Sequence, residues 1–164
     1  AEFRFASQHK AFPTIISGNP FPVPDRKFHD DTLAAMQPDN WWFSKTFTPR
    51  TRFTDIPADS DTSPYRVFLS FDLSGTSDPA TYCMPTSGIA PGKTAAGTAV
   101  SNVTARMSFC RDKTLLSTSH GTVENIDSST HPRFQELITR MTMALFPQRR
   151  DNGDCGPLKQ PQSC

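Results

Sequence analysis

Residues 100–147 read VSNVTARMSFCRDKTLLSTSHGTVENIDSSTHPRFQELITRMTMALFP, and this stretch decides the fold. Val103, Ala105, Met107 and Phe109 alternate with Asn102, Thr104, Arg106 and Ser108, the period of a strand with one buried face. Arg111-Asp112-Lys113 turns the chain, and residues 114–124 return as the hairpin partner. Farther on, Phe134, Leu137, Ile138, Met141 and Leu145 recur at helical spacing and share one face. Pro132 suits a first helical turn, where its missing N–H costs nothing, and Thr130 or His131 can cap it. Pro147 cannot extend the helix, so the run ends near Phe146. A helix with one apolar stripe must lie on something, and a sheet supplies the matching face.

Working back toward the N-terminus, Tyr65 to Leu73 alternates strictly through Val67, Leu69, Phe71 and Leu73, which predicts another strand. Asp55 to Pro64 reads as a polar loop. Asn40 to Phe53 is the most aromatic and basic segment, with Trp41, Trp42, Phe43, Phe47 and Phe53 beside Lys45, Arg50 and Arg52. Its first residues, 41–48, alternate as a strand would. A short helix is expected from Asp25, as its cap, to Pro38, with Phe28, Thr32, Leu33 and Met36 on one face. Gly18-Asn19-Pro20 is turn chemistry, and Phe12 to Ile16 is a candidate strand before it. Phe3 and Phe5 suggest one more. Residues 74–98 are poor in apolar side chains and read as a long loop, of the kind that is either functional or disordered.

These elements predict an α+β fold. A two-layer sandwich is expected, with a mostly antiparallel sheet of four or five strands and two helices on one face. Residues 1–147 form the expected single domain, and residues 148–164 a Cys-containing tail. The core must be unusual, because only 35% of 164 residues are apolar and 13 of them are Phe. Fifteen prolines imply short elements and much loop.

Seventeen basic and 16 acidic residues leave a net charge of +1, with no charge block that would suit nucleic acid. No apolar run is long enough to span a membrane. An export signal or lipid anchor removed ahead of Ala1 is compatible with the sequence. The four cysteines, Cys83, Cys110, Cys155 and Cys164, lack metal-ligand spacing and favour two disulfides in an oxidising compartment. Three pairings are open. Cys83–Cys110 with Cys155–Cys164 is preferred, because the second bridge closes a short loop in a tail with no apolar content.

Few motifs point to chemistry. Gly92-Lys93-Thr94 imitates a phosphate loop, but Ser87 stands where the first Gly is required and no amphipathic helix follows. His29-Asp30-Asp31 cannot form a ligand set alone, since neighbours on a helix point apart. Asn102-Val103-Thr104 fits a glycosylation pattern inside a strand, where chance is the better reading. No cofactor or metal is expected. Aromatics beside Lys and Arg can stack on partners, so Trp41, Trp42, Phe43, Lys45, Arg50 and Arg52 are the expected binding surface. The competing reading places these rings in the core.

Several phrases together resemble a family. They are Gly18-Asn19-Pro20-Phe21 leading into a short helix, Tyr65-Arg66-Val67-Phe68-Leu69-Ser70-Phe71, a lone Cys83 and Ser108-Phe109-Cys110-Arg111. The set closes with His131-Pro132-Arg133-Phe134, Leu137-Ile138, Met141-Thr142 and Ala144-Leu145-Phe146-Pro147. The set resembles uncharacterised small envelope proteins of Gram-negative bacteria, often carried as lipoproteins. The tail and the Trp41-Trp42 pair depart from that pattern. The resemblance implies a periplasmic location and a Cys83–Cys110 disulfide, and it carries no catalytic residues. The leading expectation is a non-enzymatic exported domain docking to another envelope protein or cell-wall component. The alternatives are a glycan-acting enzyme using His29, Asp30, His120 and His131, or a carbohydrate- or lipid-binding module using the Trp pair.

Overall fold

A computed structural model describes residues 11–37, 52–57, 63–71, 79–84 and 102–146. In chain order these are strand β1 (Ala11–Ser17), helix α1 (Asp25–Met36), strand β2 (Arg52–Asp55) and strand β3 (Tyr65–Phe71). A 3-10 turn (Pro79–Thr81), strand β4 (Asn102–Arg111), strand β5 (Thr114–Glu124) and helix α2 (Pro132–Leu145) follow. The strands form one sheet in the order β2-β1-β3-β4-β5, and both helices pack on the same face of it. The expected α+β fold is therefore present. Residues 3–5, 41–50, 148–164 and most of 74–98 lie outside the described residues, Cys155 and Cys164 among them.

The sheet is mixed. β1 runs parallel to β2 and to β3, while β3–β4 and β4–β5 are antiparallel. The parallel pairing of β1 with β2 follows from α1, which carries the chain back along the sheet before β2. β2 falls where the sequence suggested the end of an aromatic segment and the start of a loop. It has four residues and buries only Phe53, too little for a periodic signal. It lies at the sheet edge, where the Gln37 side-chain amide holds both the N–H and the C=O of Phe53 at 3.3 Å. That contact covers an edge that would otherwise present open backbone groups.

Turn chemistry positions these elements. Gly18 sits at φ 84°, and the Asn19 side chain donates to Val23 O at 2.8 Å and to Asp25 Oδ1 at 2.9 Å. Asp25 is thus the first helical residue and an acceptor for the turn, not the cap. Pro24 occupies the cap position without a side-chain bond. In α2 the cap is His131, whose Nδ1 accepts from Arg133 N at 3.2 Å, with Pro132 just inside. The β4–β5 hairpin turns at Asp112, which takes φ 52° and donates its N–H to Pro64 O at 2.7 Å. A bulge between Phe109 and Cys110 leaves Leu116 unopposed on β5.

The core is built largely from phenylalanine, and all of the described phenylalanines but Phe68 lie on the helix side of the sheet. Nine of the 13, at positions 12, 21, 28, 53, 68, 71, 109, 134 and 146, are among the described residues, and all nine are buried. Phe21, Phe28, Phe71 and Phe134 form one ring cluster. Phe12, Phe53, Tyr65, Phe109 and Phe146 form a second under the end of α2.

α2 approaches β5 closely because Ser117, Ser119 and Gly121 line the contact. Ser117 Oγ donates to Leu145 O at 2.6 Å and Ser119 Oγ to Met141 O at 2.9 Å. A Cβ at Gly121 would stand 2.5 Å from Leu137 Cδ1. Gly121→Val should therefore destabilise the fold by about 1–3 kcal/mol through overpacking. Leu137→Ala in the same chain should recover part of that loss in urea unfolding. A Val tolerated within about 0.5 kcal/mol would mean that α2 rides farther from β5.

Candidate functional site

The face of the sheet turned away from the helices carries the chemistry. Strand alternation sends Ile15, Ser17, Phe68, Ser70, Arg106, Ser108, Cys110, Thr118, His120 and Thr122 to it. Two rows follow from the register. Ile15, Phe68, Ser108 and Thr118 stand side by side, and Ser17, Ser70, Arg106 and His120 form the next row. The first row belongs to an apolar patch of Ile15, Phe68, Cys83 and Cys110, with Ile56 and Leu115 packed against it. The second row is polar, and beyond it Thr104 and Thr122 share a hydrogen bond at 3.1 Å.

A short segment is pinned over the boundary between these rows. The turn at Pro79–Thr81 is closed by Tyr82 N donating to Pro79 O at 3.1 Å and Met84 N to Thr81 O at 3.2 Å. Cys83 is bonded to Cys110 of β4, with Cα atoms 5.8 Å apart. The bridge places the Tyr82 ring over Arg106, whose guanidinium carbon lies 4.0 Å from the ring centroid. Met84 next to it is the exposed large hydrophobe of the described residues, at 48%.

Arg106 itself is only 8% exposed. Among the described residues no carboxylate pairs with it and no acceptor bonds it. A cation–π contact of this kind is worth about 0.5–2 kcal/mol, the more so where water is excluded.

The residues singled out from sequence fare differently. Trp41, Trp42, Phe43, Lys45 and Arg50 lie outside the described residues. Arg52 is exposed at the start of β2, where it pairs with Ala11. The Cys83–Cys110 bridge is present. His29, Asp30, His120 and His131 do not converge. His29 Nδ1 pairs with Asp55 Oδ2 at 2.8 Å, His131 caps α2, and His120 faces outward on β5 beside Arg106. No hydrogen bond joins any two of the four among the described residues, so the convergence that the alternative, enzymatic reading required of them is not seen there. Arg106 and Tyr82 were not marked by sequence. The available signal was an Arg between buried Ala105 and Met107, four residues from a cysteine whose partner follows a tyrosine.

Asp31 shows where polar groups serve the fold instead. Its carboxylate accepts from Ser129 Oγ and pairs with Lys27 Nζ at 2.9 Å, while Gln135 Nε2 donates to Asp31 O at 3.3 Å. These bonds tie α1 to the start of α2. The Ser129 hydroxyl, then the Lys27 ammonium, hold the Asp31 carboxyl below its ordinary value against the opposing effect of burial. A lowered folded-state pKa stabilises above the unfolded value and loses that contribution as pH falls through the folded one. The stability gap between wild type and Asp31→Asn should thus be full near pH 7 and shrink below about pH 5. A gap that stays constant down to pH 3 would remove Asp31 from the acid response.

No helix among the described residues is long and apolar enough to cross a membrane. Among the same residues no group of three His, Cys, Asp or Glu side chains is placed to hold a metal ion. Comparison with protein-family models, with curated proteins and with solved structures found no match.

Proposed function

We propose that this chain is a non-enzymatic, exported domain that docks to another cell-envelope component through the outer face of its sheet. The observation that supports this reading is the Cys83–Cys110 bridge with what it holds in place. Disulfides persist in oxidising compartments, which favours an exported and, by the family resemblance, periplasmic protein. The bridge costs a reducing cell its stabilisation and gives an exported protein a fixed surface. That surface carries an aromatic ring, an arginine and the exposed Met84, the residue types that dominate interface energetics. The aromatic and basic segment from Trp41 to Arg52 is a second candidate docking surface.

The test is site-specific photocrosslinking in the exporting host. A crosslinker at position 84 and another at position 41 are compared with one at the exposed Glu136 on α2. The expected result is one envelope component captured from 84, reproduced with purified partners, and not captured from 136. Capture from 41 alone would move the interface to the aromatic segment. Equal capture from all three positions, or from none, would overturn the docking reading.

A further inference from the structure

We propose that Arg106 is a binding site for a single carboxylate group. This inference rests on reading the outer face as the docking surface and names the chemistry that the face would recognise. The argument begins with the guanidinium. Arg106 is nine-tenths buried as a residue, its guanidinium has no anion and no hydrogen-bond acceptor among the described residues, and the one described contact of the guanidinium is the Tyr82 ring at 4.0 Å. A stacked guanidinium keeps its planar fork of N–H donors free at the edges. That fork matches a carboxylate bidentately. Stacking also fixes the plane of the fork before a ligand arrives, which reduces the ordering cost of binding.

The surroundings select the ligand's charge. Ser70 and His120 stand on either side of Arg106 in the register, with Ser17 beyond Ser70. Directly opposed cross-strand residues place their Cβ atoms about 4.5–5.5 Å apart, so a hydroxyl and an imidazole flank the guanidinium. The next cation on this face, Arg66, pairs with Cys110, four residues along β4 and about 13 Å away at strand rise. Its Nε already donates to Ser63 O at 2.9 Å. One guanidinium, with no second Lys or Arg beside it in the register, suits one negative charge. A phosphate or sulfate dianion would leave a charge unmatched.

The experiment follows the Arg106 Nε–Hε resonance by NMR, assigned by its loss in Arg106→Lys. Sodium acetate, N-acetyl-Ala-Ala, sodium phosphate and sodium sulfate are titrated separately, with sodium chloride and N-acetyl-Ala-Ala amide as matched controls. The expected result is a saturable shift with the carboxylates alone. N-acetyl-Ala-Ala binding at least tenfold tighter than acetate would assign the carboxylate to a peptide C-terminus, and equal affinity would assign it to any small acid. Arg106→Lys should weaken binding at least tenfold, since it keeps the charge and loses the planar fork. Absence of a saturable shift with either carboxylate, or saturation by phosphate or sulfate only, would overturn the proposal.

A second variant guards against a purely structural role. Arg106→Met should fold and melt at or above the wild-type temperature, because it keeps an apolar stem in a buried position and removes a charge that has no ion-pair partner among the described residues. A melting temperature clearly below wild type would mean that the guanidinium is satisfied within the fold, and the proposal would fail. None of these outcomes depends on the crosslinking, so a wrong ligand class and a wrong docking face remain distinguishable.

Discussion

Phe134→Ala is expected to destabilise the fold by about 3–5 kcal/mol. Phe134 is fully buried and touches rings from three other parts of the chain. Phe21 lies 5.2 Å away in the turn before α1, Phe71 5.9 Å away on β3, and Phe28 6.0 Å away on α1. Truncation removes the transfer free energy of the ring and leaves a cavity that rigid neighbours fill poorly. It also removes the edge-to-face contact with Phe21, worth about 0.5–1.5 kcal/mol. Because the cluster links both helices to the sheet, the loss should appear as one cooperative transition at lower denaturant, with an unchanged slope. A Phe134/Phe21 double-mutant cycle should show coupling of at least about 0.5 kcal/mol. A single-mutant loss under about 1 kcal/mol would mean that the cluster is not closed as described.

The contrast with Leu137 shows how far sequence reading reaches. Leu137 and Ile138 both sit on the predicted stripe of α2, and periodicity alone treats them alike. In the fold Ile138 is fully buried, while Leu137 is half-buried against Gly121 at the margin of the helix. Helical spacing names a face, but only the packed partner defines its edge. The β4–β5 hairpin and α2 were legible because each is long, periodic and bounded by turn residues. β2 was not, because four residues with one buried side chain carry no period. The parallel pairings of β1 were not legible either, since alternation gives a strand its faces and not its neighbours.

The candidate site was legible in part. Cysteine count left three pairings open, Cys83–Cys110 was the one preferred and the one the resemblance implied, and the structure contains that bridge. What the bridge accomplishes could not be read, because Tyr82 and Arg106 are 24 positions apart and the bridge joins the residues next to and near them in the fold. A lone arginine on the outward period of a strand looks solvated in sequence. Its burial comes from what lies across that face, which no local pattern encodes.

Loss of the bridge should have the second large effect. Cys83 and Cys110 are separated by 27 positions. In the chain-entropy model, opening a loop of that length relaxes the unfolded state by about 3.5 kcal/mol at 25 °C. That is a large fraction of the roughly 5–15 kcal/mol by which domains are usually stable. The test is Cys83→Ala/Cys110→Ala, since a reductant would also reach Cys155 and Cys164. Ala keeps both positions apolar in the patch with Ile15 and Phe68, so the cost of burying a hydroxyl does not enter. With a urea slope of about 1–3 kcal/mol per molar, the midpoint should fall by at least about 1 M. The variant should also release the Tyr82 ring, and the Arg106 resonance should then lose its ring-current shift even in chains that remain folded. A midpoint within about 0.3 M of wild type would show that the bridge adds little to the fold. An Arg106 resonance unmoved in the variant would show that Tyr82 keeps its place without it.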